Sequence, residues 1–83
     1  MIELCDTCEY NILIAGLIAT LMQRDKDGLL FTLKIWYQGR ELPFLFESHC
    51  HFEFLQEGLR VDSGKEIFYL WYDTIDCFKV EKE

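Results

Sequence analysis

Residues Glu66-Ile67-Phe68-Tyr69-Leu70-Trp71-Tyr72 place six large apolar or aromatic side chains in succession. Neighbouring side chains on a strand point to opposite faces. Such a strand puts Ile67, Tyr69 and Trp71 on one side and Phe68, Leu70 and Tyr72 on the other. A chain of 83 residues makes one domain, 1–83, with one core. One of the two faces therefore needs cover from elsewhere.

From Leu29 onward the strand signals continue. Leu29, Phe31, Leu33, Ile35 and Tyr37 alternate with Leu30, Thr32, Lys34 and Trp36. Gln38-Gly39-Arg40-Glu41 reads as a turn, with Gly39 free to take positive φ. Leu42, Phe44 and Phe46 share a face on the way back, and Pro43 suits the start of an edge strand. Cys50, Phe52 and Phe54 form the next set. Leu59–Val61 is a short strand, and Asp62-Ser63-Gly64-Lys65 a hairpin turn into the aromatic strand. Ile75–Val80 is the last strand. Twelve of the thirteen aromatics lie between Phe31 and Phe78, so the core is built mainly from the later two-thirds of the chain.

Residues 9–24 support two readings. As a helix, Asp6 caps the start with Glu9 three residues on, and Arg24, Lys26 and Gly28 suit the end. As a strand, Ile12, Ile14, Ile18 and Thr20 are β-branched, and Asp25–Gly28 is a hairpin turn. The strand reading leads. Ile2 and Leu4 add a short N-terminal strand in either case. The expected fold is mostly β, a small antiparallel meander closing into a barrel or rolled sheet. The alternative is α+β, one N-terminal helix packed on a curved antiparallel sheet.

The stretch Gly58–Val61, the Asp62–Lys65 turn, Ile67–Tyr72 and Ile75 has a strand rhythm similar to that of small β-barrels of the Sm-like or pleckstrin-homology-like kind. That resemblance implies a barrel and carries no functional residues with it.

An apolar fraction of 51% excludes disorder. The net charge is −7 and no Lys/Arg cluster exists, which argues against direct binding to a phosphate backbone. The acidity steers toward a basic partner. The apolar run Ile12–Met22 is too short to span a bilayer. Glu3, Asp6 and Glu9 precede it, where a signal peptide carries positive charge. The expectation is a cytoplasmic chain whose four cysteines are thiols or metal ligands.

Cys5-Asp6-Thr7-Cys8 is half of a zinc pattern, and His49 with His51, on one face of a strand, supplies the other half. Against this, H-x-H is tighter than the usual spacing, and buried structural cysteines fit as well. Zinc is accordingly the only cofactor the sequence suggests, and none is required. A redox pair at Cys5/Cys8 lacks the βαβ context of that chemistry. Asp73 with Asp76 and Glu53 with Glu57 read as solvated loop acids, Ser63-Gly64-Lys65 lacks a phosphate-loop frame, and no nucleophile–base pair stands out.

The leading reading is a non-enzymatic acidic module that works by protein–protein contact and self-associates. Its interface residues would be Trp36, Phe68, Leu70, Trp71 and Tyr72. One alternative is a phage- or mobile-element-encoded inhibitor that blocks a host nucleic-acid-handling enzyme by acidic mimicry. Another is a zinc-stabilised interaction module.

Overall fold

The computed structural model describes residues 1–83. The chain runs β1 (Ile2–Leu4), α1 (Ile12–Lys26), β2 (Phe31–Tyr37), β3 (Phe44–Glu47), β4 (His51–Phe54), β5 (Gly58–Asp62), β6 (Ile67–Trp71), a single 3-10 turn (Tyr72–Thr74) and β7 (Ile75–Lys82). Two sheets form, ordered β1-β4-β5-β6 and β3-β2-β7. No helix is long and apolar enough to cross a membrane.

The helical reading of 9–24 prevails over the strand reading. Ile14, Leu17, Ile18 and Leu21, spaced i, i+3, i+4 and i+7, form the buried stripe. The helix starts later than expected. Asn11, not Asp6, is the cap: it sits at φ −68°, ψ 169°, and its Oδ1 accepts from the Ile14 N–H at 2.8 Å. At the other end Gly28 takes φ 67°. The Leu29 N–H donates to the Arg24 carbonyl at 3.0 Å and the Gly28 N–H to the Asp25 carbonyl at 3.1 Å. This is a Schellman closure, which needs the left-handed residue that glycine supplies. Asn11→Ala should cost about 1 kcal/mol, the usual loss of a cap acceptor. Urea unfolding followed by circular dichroism checks this, and an unchanged midpoint would show that the cap contributes nothing.

The expected strands are present with ends shifted by a residue or two, but their pairing differs from a meander. The hairpin β2–β3 turns on Gln38 and Gly39, both at positive φ. The Arg40 N–H closes that turn on the Tyr37 carbonyl at 3.2 Å. Strands β4, β5 and β6 form a local meander. β7 then returns to β2, placing Val80 opposite Leu33 and Phe78 opposite Ile35. β1 runs parallel to β4, with Ile2 opposite Phe52 and Leu4 opposite Phe54.

No barrel closes. β3 and β6 end their sheets without pairing, and the gap between them is bridged by rings. Phe68 lies 5.9 Å from Phe44 and 5.3 Å from Phe46, centroid to centroid. A seventeen-residue core fills the space between the sheets and α1. Phe52, Phe54, Leu33, Ile35, Leu59, Val61, Ile14, Leu17 and Leu21 are fully buried within it. No charged residue is buried, and the core hydroxyls of Tyr37 and Tyr72 are hydrogen-bonded to the Trp71 N–H and the Leu55 carbonyl, which offsets their desolvation.

Candidate interaction surface

The ladder of β5 with β6 decides which face of the aromatic strand turns inward. Leu70 lies opposite Leu59 and Phe68 opposite Val61, all on the core side. Tyr69 lies opposite Arg60 and Ile67 opposite Asp62, all on the outer side. Leu70 and Tyr72 are therefore core residues, 3% and 7% exposed. Phe68 is half-buried under Phe44 and Phe46. Trp36 is half-buried on the other sheet, opposite Cys77. Of the five expected interface residues only Trp71 stands exposed, at 56%. The uncovered apolar face is the reverse one: Ile67, Tyr69 and Trp71.

Beside this row lies a groove of about 380 Å³, walled by Leu55, Tyr69 and Trp71 with Gly58 in its floor. Gly58 pairs with Trp71 across the ladder, and the Leu70 carbonyl crosses close above it. Only a residue without Cβ leaves that approach open. A second, polar hollow of about 450 Å³ adjoins Trp71. Glu9, Glu57 and Asp73 line it, with Asn11 and Tyr72. Gln56, Glu57 and Trp71 line both hollows.

The strands hold this arrangement firmly. The Tyr72 hydroxyl donates to the Leu55 carbonyl at 2.6 Å. Burial, and secondarily the nearby Tyr10 phenol, pushes the Tyr72 pKa well above the ordinary phenol value, so it remains a donor at neutral pH. The Tyr10 hydroxyl in turn donates to the Phe54 carbonyl and accepts from the Cys5 N–H, both at 3.1 Å. That anchors the segment carrying Glu9.

The charge on this surface is unbalanced. Arg60 sits within 3.6 Å of Glu53 and 3.9 Å of Asp62. Lys34 pairs with Glu81, and His51 lies 3.4 Å from Glu3. None of these basic side chains pairs with Glu9, Glu57 or Asp73. The lining offers apolar contact, aromatic faces and uncompensated negative charge.

The other sequence candidates are dispersed. Cys5 and Cys8 are joined to each other as a disulfide, not held as thiols or metal ligands. His49 is exposed in the β3–β4 turn, and His51 leans on Glu3. No three His, Cys, Asp or Glu side chains are placed to hold a metal ion together, so the expected quartet Cys5, Cys8, His49 and His51 is not assembled. Glu53 faces Arg60, and Asp76 accepts from the Gly39 N–H at 2.7 Å, so these acids of the two suspected pairs serve the sheets.

Cys50 and Cys77 are free, the first buried and the second exposed. Burial raises the Cys50 thiol above its ordinary value, and the thiolate is the reactive form. Iodoacetamide at pH 7.5 should therefore label Cys77 at least about tenfold faster than Cys50. Peptide mass mapping over time reads this directly, and equal rates would mean that the β3–β4 turn opens freely.

The signal for the true outer face was present in the sequence. Leu59-Arg60-Val61-Asp62 alternates apolar and charged residues, and the short turn after it sets the register of the next strand. Carrying that polarity across the hairpin assigns Ile67, Tyr69 and Trp71 to the outside. No local signal placed Glu9 beside Glu57 and Asp73. Comparison of the chain with protein-family models, curated proteins and solved structures finds no match.

Proposed function

We propose that the protein is a non-enzymatic interaction module that binds another protein through the outer face of β5 and β6. One observation carries this reading. Ile67, Tyr69 and Trp71 are 51%, 63% and 56% exposed in a continuous row. Contiguous exposed aromatics beside a groove mark contact surfaces, and Trp and Tyr are the side chains whose truncation weakens interfaces most.

The partner is basic. A net charge of −7 and the unpaired carboxylates beside Trp71 attract lysine- and arginine-bearing surfaces. A nucleic-acid-handling enzyme with a cationic channel belongs to that class, so the inhibitor reading is a special case of it. The same row also presents itself to a second copy of this chain. Self-association then depends on concentration and strengthens with salt, whereas a basic partner is released by salt.

The test uses the protein and its Trp71→Ala variant as paired baits in an extract of the native host. Losing an anchor costs about 2 kcal/mol, roughly 30-fold in Kd. A partner held by the wild type, lost by the variant and eluted by salt supports the proposal. A partner held equally by both baits places the contact on another face.

A further inference from the structure

We infer that β6 is a docking edge, and that its occupant is an extended, lysine- or arginine-bearing segment of the partner, added to the sheet as a fifth strand next to β6. This rests on the proposed interaction function and specifies how the partner is held.

The argument comes from the hydrogen bonds at the two ends of the β5–β6 ladder. The Ser63 N–H donates to the Glu66 carbonyl at 3.0 Å, and the Tyr72 N–H to the Glu57 carbonyl at 3.1 Å. Backbone groups alternate in direction along a strand. Glu66, Phe68, Leu70 and Tyr72 therefore turn theirs toward β5, and Ile67, Tyr69 and Trp71 turn theirs away. β6 is the last strand of its sheet.

Trp71 is already provided for. Its N–H donates to the Tyr37 hydroxyl at 3.0 Å, and its carbonyl accepts from Thr74 Oγ1 at 2.8 Å. Ile67 and Tyr69 have no such cover. The open part of the edge is thus Ile67–Tyr69, closed at its C-terminal end by Tyr37 and Thr74. An apolar open edge is the kind that other chains pair with, and folded proteins commonly protect such edges with charge, proline or a bulge. Here the side chains above it are Ile67 and Tyr69.

An added strand would form main-chain pairs with Ile67 and Tyr69 and lay alternate side chains against their outer surfaces. The net charge of −7 favours a cationic segment. A second copy would bring the same charge with it and is the poorer occupant.

The experiment uses an eight-residue peptide of alternating valine and lysine, and an analogue with the alternate backbone amides N-methylated. Amide hydrogen exchange is followed by NMR on the intact protein. With the plain peptide, exchange at Ile67 and Tyr69 should slow at least about tenfold, while Phe68 and Leu70 stay as they were. The methylated analogue should bind at least about tenfold more weakly. Binding without any change at Ile67 and Tyr69 overturns strand addition and leaves the interaction surface standing. No binding by either peptide at millimolar concentration overturns both. Slowing that appears with protein concentration alone assigns the edge to a second copy and overturns the basic occupant.

Discussion

Phe52→Ala should remove about 3–5 kcal/mol of stability, the range for deleting a buried phenylalanine. Phe52 is fully buried at the centre of β4, between Ile2 on β1 and Val61 on β5. Its ring lies 6.1 Å from that of Phe31 on the other sheet, so it contacts both halves of the core. Domains of this size have about 4–12 kcal/mol in total, at about 0.05–0.15 kcal/mol per residue. The substitution therefore consumes a large part of the whole, and the melting temperature should fall by more than about 10 °C. Phe52→Leu, which keeps most of the volume, should cost less than half as much. Urea titration of the three proteins checks both values. A loss below about 1 kcal/mol for the alanine variant would mean that the sheets do not pack across Phe52.

Gly58→Ala should be destabilising by about 1–3 kcal/mol, the cost of forcing atoms into a packed site. The added Cβ would lie 2.7 Å from the Leu70 carbonyl oxygen and 3.3 Å from its carbon. These are backbone atoms and cannot rotate away, so the β5–β6 ladder must shift. The sign is diagnostic, because glycine in a strand interior is ordinarily a weak point that alanine improves. Gly16→Ala supplies the contrast. Gly16 lies within α1 with nothing within 4 Å of a built Cβ, so alanine there should stabilise by about 1 kcal/mol. Opposite shifts in urea midpoint for the two variants are expected. A stabilising Gly58→Ala would mean that the close approach to Leu70 does not exist in solution. Gly58 also floors the apolar groove, so its variant should weaken partner binding as well.

Most strand positions were legible because alternation is a local property. Phe31, Leu33 and Ile35 face inward as their spacing requires, and Phe52 and Phe54 do the same. The glycine turns were legible for a similar reason. Gly39 and Gly64 take positive φ where the chain reverses. The helix was not, because Ile12–Met22 is apolar on all sides. Ile12 and Met22 remain 92% and 45% exposed, so the segment has no polar face to reveal its period. The cap was misplaced for a related reason: Asp6, Thr7 and Asn11 are all N-cap side chains, and only packing of the Ile14–Leu21 stripe selects Asn11.

The candidate surface divides in the same way. That β6 carries one apolar face too many was readable from Ile67 to Tyr72. Which face stayed out was decided by Leu59 and Val61 across the ladder, and Leu70 and Tyr72, expected at an interface, went into the core instead. The C-x-x-C pattern showed that Cys5 and Cys8 are close, but not that they bond to each other while His49 and His51 lie elsewhere.

The sequence alone determined where the chain extends, where it turns, and that its aromatic ribbon carries large apolar side chains on both faces. Tertiary structure decided the partners: β7 on β2, β1 parallel to β4, and the acidic hollow gathered from Glu9, Glu57 and Asp73 around Trp71. The physical reason is range. Backbone geometry imposes a period of two on neighbouring residues wherever a strand forms, whereas the choice between two apolar faces, or between two strand partners, depends on side chains many residues away.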